Sequence, residues 1–329
     1  MKEVYASAGG VTDIVSMEVT ASAGAACATF SFQTPSSGFS VGDEISLQMG
    51  YTGDIDTVLT GYVDTVTAER PPGLYRIEGR DKLKLALDYF IVAASLDKED
   101  WFNPRLETGD ATPAGVIGAI LGLCGLGGLS GGGGGGWEIG NDTDGTPFQL
   151  ISAWDAIQQV CAICACRVWC DSSGAIQMGS LTSSFGGGGS FTTGDDGNIL
   201  SCSRSLGNDD LRNKIVVIGG LDSDGEYYTA TASAESPYLP AGFYKTAVIS
   251  TDLIGSQDAA NATAATNLTA LNKLTERTTI EAIGTPGVER YCSVSVSESF
   301  TGGGGGTVVS VAHIIDSSGY RTRLTARAT

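Results

Sequence analysis

The chain of 329 residues contains one histidine, four methionines, four tryptophans and only 19 lysines and arginines against 37 aspartates and glutamates. With one histidine, any Ser-His-Asp or Cys-His catalysis must pass through His313. His313 stands in VVSVAHIID on the strand face it shares with Val309, Val311 and Ile315, so it reads as a packed or interface histidine, and nucleophilic catalysis is disfavoured. The shortage of cations leaves a formal net charge of −18, which argues against a nucleic-acid binder, whose affinity comes from cations that release phosphate counterions. Charge of that size keeps a protein soluble. A gapless apolar run is also missing. A membrane helix needs roughly 20 predominantly apolar residues, whereas PAGVIGAILGLCGLGGL, inside the uncharged stretch 111–136, thins into polyglycine, so a short buried helix and a loop are expected and no membrane insertion. The opening MKEVYASAGG lacks the basic region and apolar stretch of a secretory signal.

What is abundant is glycine, 47 residues, much of it in the runs 131–136, 186–189 and 302–306, which read as flexible loops between patterned segments. The eight cysteines do not suit a disulfide framework, because four of them, Cys161, Cys164, Cys166 and Cys170, lie within ten residues; a reducing cytoplasm is the expected folding compartment. The length exceeds one small core, so two or three domains are expected.

The most informative stretch is VLTGYVDTVTAERPPGLYRIEGRDKLKLALDYF, residues 58–90. Val58 to Val66 alternates with period two, Arg70-Pro71-Pro72-Gly73 breaks the run as a hairpin, a second strand runs from Leu74 to Glu78, and after Gly79-Arg80-Asp81 the spacing of Leu83, Leu87 and Phe90 is helical, with Asp81 as N-cap. Before it, Ile14–Thr20, Ala25–Gln33 and Glu44–Tyr51 read as short strands. After it, Thr112-Pro113 starts a helix to Leu123, with Trp101-Phe102-Asn103-Pro104 in the polar connection. A third helix is expected from Thr146 as cap, with Pro147 at its first position, Gln149 closing a capping box, and Ile151, Trp154, Ile157, Cys161 and Cys164 as its apolar stripe. Arg167–Cys170 and Ala175–Met178 then pair across Asp171-Ser172-Ser173-Gly174. Farther on come strands at Asn213–Gly219, Tyr227–Ala232 and Lys245–Ser250 and a helix capped by Ser256. The final strands are Arg277–Ile283, Tyr291–Ser297, Val308–Asp316 and Tyr320–Ala326.

Three of these blocks, the Gly61-Tyr62-Val63-Asp64 strand with its hairpin and Gly79-Arg80-Asp81, the Trp154-led helix with its hairpin at Gly174, and the closing strands that carry His313, resemble the hub proteins of phage tails and baseplates, the late control protein D group and the related spike-hub proteins of contractile injection systems. Where that family commonly has a glycine after the helix, this chain has Cys164-Ala165-Cys166. The resemblance implies a mainly β chain with an α+β insertion: two tube-like β-barrels, 1–81 and 201–329, the second with an inserted helix at about 256–274, joined by a helical connector with a Gly-rich loop, 82–145, and a small α+β domain, 146–200. Residues 213–219 resemble the strand that opens the family's second barrel. It further implies a structural virion protein rather than an enzyme, assembled in the host cytoplasm. A homotrimeric ring would join the tail tube or distal tail protein to the spike or tip protein, meet the tape measure protein, and let DNA pass through its channel without specific binding. Acidic residues lining that channel would repel phosphates.

Other readings attach to particular residues. Cys161, Cys164, Cys166 and Cys170 form C-x2-C-x-C-x3-C, a spacing that suggests zinc or an iron–sulfur cluster, but two lie on a helix stripe and one on a strand, so no metal and no cofactor are expected. The pairs Asp142/Asp144, Asp195/Asp196, Asp209/Asp210 and Asp222/Asp224 fall near glycines, where hairpin turns want them as much as calcium does. A glycan-binding adhesin or a tail-tip glycan hydrolase is the competing class, the latter needing two carboxylates that converge in a cleft.

Overall fold

The computed structural model describes residues 3–71, 73–92, 112–131, 148, 150–194, 197–298 and 304–328. The first six strands are β1 (Val4–Ala8), β2 (Ser16–Ser22), β3 (Thr29–Thr34), β4 (Glu44–Tyr51), β5 (Asp54–Glu69) and β6 (Leu74–Asp81). Their alternation sends Met17, Val19, Phe30, Phe32, Ile45, Leu47, Met49 and Ile77 into one core and leaves polar residues outside. β6 runs on through Gly79-Arg80-Asp81, three residues past the expected strand end.

The middle of the chain supplies α1 (Lys84–Asp88), β7 (Phe90–Ile91), α2 (Pro113–Leu123), β8 (Leu129–Ser130), β9 (Ile151–Ser152), α3 (Ala153–Cys164), β10 (Cys166–Cys170) and β11 (Ile176–Ser180). α2 starts as expected, with Pro113 in its first turn and the Thr112 hydroxyl accepting from the Gly115 N–H. α3 does not begin after Thr146: Ile151 and Ser152 are strand, and Ser152 is the cap, accepting from the Asp155 N–H at 3.0 Å. The expected cap Thr146, Pro147 and Gln149 lie outside the described residues, as do residues 101–104 and the acidic pairs Asp142/Asp144 and Asp195/Asp196. β10 and β11 pair antiparallel as expected.

The remaining strands are β12 (Gly187–Thr192), β13 (Ile199–Gly207), β14 (Lys214–Leu221), β15 (Tyr227–Ser233), β16 (Thr246–Ser250), β17 (Thr275–Ile283), β18 (Ser293–Ser297), β19 (Gly304–Asp316) and β20 (Gly319–Arg327), with α4 (Gln257–Leu271) between β16 and β17. Twelve strands join one large sheet. Its first half has the order β1-β4-β5-β6-β3-β2 and its second β12-β18-β19-β20-β17-β13. Numbered within each half, both orders read first, fourth, fifth, sixth, third, second. The halves share one sheet because β19 divides an edge: Gly304–Thr307 pairs with β18, and Ser310–Ile315 pairs with β2. Neither half is a closed barrel among the described residues; each has its own core, the second built on Phe191, Ile280, Val294, Val308 and Leu324. All neighbours in the large sheet are antiparallel except β12 and β18.

Three expectations are corrected here. The strand at Asn213–Gly219 does not open the second half; β12 does, and β14 forms a separate small sheet with β15 and β16. That sheet and α4 share a core with α1, α2 and α3, so the insertion in the second half is a sheet with its helix rather than a helix alone. Two of the glycine runs are in part strand rather than loop. Gly187–Gly189 lie in β12 and Gly304–Gly306 in β19. A methyl group on Gly306 would stand 2.1 Å from the Arg327 carbonyl, so the run permits an approach that a side chain forbids. No helix among the described residues is long and apolar enough to cross a membrane.

Candidate functional site

Asp81 and His313 meet at one buried polar junction between the half-sheets and the turn of the small α+β unit, with Gly61, Tyr62, Asp64, Gly79 and Arg80 on the neighbouring strands β5 and β6. It begins at the close approach of β5 and β6. A methyl on Gly61 would stand 2.1 Å from the Arg80 carbonyl, and one on Gly79 would stand 2.1 Å from the Tyr62 carbonyl and 2.4 Å from the Phe30 ring. Next to them Arg80 pairs with Asp64 on β5 and with Asp88 on α1, while Tyr62 donates to Glu44. Burial raises the Asp64 carboxyl, but the hydrogen bonds from Arg80 and Lys84 outweigh it and hold the group below its ordinary value.

Asp81 is 1% exposed and works as a bracket rather than as the helix cap: one oxygen accepts from the Ala28 N–H at 2.6 Å and the other from the Leu83 N–H at 3.0 Å. Burial pushes its carboxyl up to about 6, against those two N–H groups and the charge of Arg290. Arg290 is itself buried, donating through Nη1 to the carbonyls of Ser22 and Ala25 at 2.8 and 2.9 Å. Asp81, Cys170, Ser172, Glu289, Arg290 and His313 line one small space of about 30 Å3.

The hairpin of the α+β unit reaches this junction through its turn. Asp171 accepts from Ala175 and Gln177, Gly174 has φ +89° and lies under the Lys82 side chain, and Ser172 donates both N–H and hydroxyl to Glu289. On the other side His313 is 2% exposed, its Nε2 2.9 Å from the Val288 carbonyl and its Nδ1 2.9 Å from the Tyr320 hydroxyl. A carbonyl can only accept, so Nε2 carries the proton and Nδ1 accepts. Burial lowers the imidazole to about 4, which keeps it neutral, a structural role. Trp154 is not part of the junction; it lies on α3 at the wall of a separate pocket.

The cysteine cluster divides. The Cys164 thiol is hydrogen-bonded to the Cys166 sulfur at 2.9 Å and Cys161 is hydrogen-bonded to Cys166 as well, whereas Cys170 faces the junction. Hydrogen bonds among these thiols, together with burial, push Cys164 and Cys166 above the ordinary thiol range, which opposes the thiolate that a metal requires. Among the described residues no group of three or more His, Cys, Asp or Glu could hold a metal ion. None of the eight cysteines, all among the described residues, is joined in a disulfide. Asp222 uses its carboxylate to hold the turn to β15, accepting from Asp224 and Glu226, and Asp210 pairs with Arg277.

Sequence reasoning missed Arg290, Ser172 and Glu289 as partners, since a single arginine after a turn carries no periodic signal. The resemblance alone groups Gly61, Tyr62, Asp64, Gly79, Arg80, Asp81, Trp154, Gly174 and His313 as one motif, since no local signal in the sequence joins them.

No protein-family model matches the sequence, and no curated protein matches it. Solved structures do. The tail protein of 43 kDa from prophage MuSo2 of Shewanella oneidensis is 16% identical, with 99% of this chain and 98% of that one covered at a TM-score of 0.61. The tail protein from Neisseria meningitidis MC58 is 13% identical, with 98% and 96% covered at 0.66. The Escherichia coli c3393 protein, a component of the type VI secretion system with structural similarity to the phage T4 tail proteins gp27 and gp5, is 8% identical, with 98% and 76% covered at 0.52. Over 98–99% of its length the chain has the fold of these phage tail proteins and of the type VI secretion component that resembles gp27 and gp5.

Proposed function

We propose that this chain is a structural hub subunit of a phage-type tail or baseplate, and that three copies close into a ring joining the tail tube to the spike or tip. The observation that carries the reading is the repeated strand order of the large sheet. Two half-sheets of one topology in each chain give six in a trimer, and six similar units about an axis match a hexameric tube. The half-sheets are the two tube-like units, and the helices with the β10–β11 hairpin form the connector and small domain between them. Ring closure requires head-to-tail contacts.

The role is mechanical, not catalytic. The buried junction fixes the two half-sheets and the small domain in one orientation, as a subunit that transmits load between tube and tip needs. The neighbours are the tube or distal tail protein above, the spike or tip below and the tape measure protein within, in the virion. A net charge of −18 lets DNA pass the channel without adhering.

The test is the mass of the purified chain by light scattering, with the same sample viewed by negative stain. A trimer seen as a ring with a central hole is expected. A monomer that stays monomeric when mixed with its tube protein would overturn the reading, and an electropositive channel in a solved ring would overturn the account of the charge.

A further inference from the structure

Trp154 lines a pocket of about 340 Å3 bounded by the β2–β3 loop, α3, β10, the end of α4 and the paired ends of β19 and β20. Three cations line it, Arg167, Lys273 and Arg327, and no aspartate or glutamate does. In a chain of net charge −18 this is a local reversal of sign. The ion pairs among the described residues all involve other cations.

Two buried polar atoms at this wall have no partner. Arg167 donates to the carbonyls of Leu181 and Ser183 and lies 3.8 Å over the centre of the Tyr291 ring, which leaves its Nε unpaired. The Thr307 hydroxyl, on a residue 5% exposed, is unpaired as well. Burial and the like charges of Arg290 and Arg327 hold the Arg167 guanidinium below the usual arginine range, while Tyr291 opposes them. An anion in the pocket would relieve that repulsion.

We propose that this pocket receives an acidic peptide segment of a protein partner, its carboxylates meeting Lys273 and Arg327 at the mouth with Arg167 deeper in the wall. The volume suits a few side chains, and Trp154, Leu271 and Val309 offer apolar surface to the carbon stems between the charges. A nucleic-acid strand is the less favoured occupant, because beyond this concavity its phosphates would run over a surface dominated by carboxylates.

The test is calorimetric titration of the full chain at low salt with a blocked Glu-Asp-Glu-Asp peptide. The comparison ligands are the Gln-Asn-Gln-Asn analogue, inorganic phosphate and a short single-stranded oligonucleotide. The acidic peptide is expected to bind saturably, to weaken as salt is added, and to lose about tenfold or more in affinity in the Lys273→Gln/Arg327→Gln variant. The variant's melting temperature checks its fold. If the pair fails to fold, Lys273→Glu alone, at an exposed position, carries the test. No saturable heat, equal binding of the neutral analogue, undiminished binding by the variant, or tighter binding of phosphate or oligonucleotide than of the peptide would each overturn the proposal.

Discussion

Arg80 and Asp64 meet across β6 and β5 as a forked pair, Nε donating to Oδ2 at 2.7 Å and Nη2 to Oδ1 at 3.1 Å. The register explains how they reach each other: Val63 opposes Gly79 while Thr65 opposes Glu78, so Asp64 is the extra residue of a bulge that aims its side chain at Arg80. Arg80 continues to Asp88, and Lys84 also pairs with Asp64, which ties the sheet to α1. Asp64→Asn is expected to cost about 1 kcal/mol at neutral pH once solvent screening of these half-exposed groups is allowed for. Because pairing lowers the Asp64 carboxyl, that stability is present above its ordinary value of 3.8 and lost as pH falls through its folded value. Denaturant melts of both proteins at neutral and acid pH check this. An equal difference at both would assign the effect to packing instead of charge.

The two glycines of the same strands are matters of space. In Gly79→Ala the new methyl meets the Tyr62 carbonyl and the Phe30 ring, neither of which can retreat without opening the strand pair. The expected loss is about 3 kcal/mol, at the upper end for overpacking. Gly118 in α2 has nothing within 4 Å of a built methyl, so Gly118→Ala should gain up to about 1 kcal/mol from helix propensity. Denaturation midpoints moving in opposite directions would bear out both; a tolerated Gly79→Ala would mean that β5 and β6 are farther apart than this geometry places them.

Where the chain has no glycine it carries strain. Ala165 caps α3 in the left-handed conformation, φ 48°, ψ 45°. That conformation costs a residue with a Cβ about 1–2 kcal/mol, while removing its buried methyl gives back roughly 0.8 kcal/mol of burial. Ala165→Gly is therefore expected to stabilise by a few tenths to about 1 kcal/mol, and Ala165→Val, branched at Cβ, to destabilise. A loss of stability on glycine substitution, read from the same midpoints, would show that the methyl's packing outweighs the backbone term.

These cases also mark what was legible in the sequence. Hairpins and helices with local signals came through: Thr112-Pro113, Ser256, and the turn at Asp171–Gly174 each state their structure within four residues. The polyglycine strands did not, because glycine looks the same whether it loosens a loop or lets two backbones touch, and only the Arg327 carbonyl opposite Gly306 decides. The start of α3 was misplaced because Thr146-Pro147 and Ser152 both carry start signals and only pairing of β9 with β7 selects the second. Assignment of β14 to a separate sheet depended on α4, some forty residues later, covering its inner face. The junction was visible as separate motifs, yet nothing local announces that Asp81, Arg290 and His313 share one space.

The titration of that junction gives the last prediction. Asp81 sits near 6 when folded against an ordinary 3.8, so the folded state prefers it protonated: its contribution is fully present below 3.8 and is lost as pH rises through 6. His313 sits near 4 against an ordinary 6.5, so its contribution is present above 6.5 and is lost as pH falls through 4. Each is worth about 3 kcal/mol at its limits, an order-of-magnitude figure, and over the same pH window they oppose each other. Between pH 4 and 6.5 the wild type should therefore show little net dependence from these two groups. Asp81→Asn, which keeps one acceptor and removes the titration, should lose stability relative to the wild type at every pH, and its stability should fall more steeply than the wild type's as pH drops through that window. His313→Gln should show the reverse slope relative to wild type. Chemical denaturation across the window measures all three, and parallel curves for wild type and Asp81→Asn would mean that the Asp81 carboxyl is already ionised at pH 4 and that Arg290 holds it so.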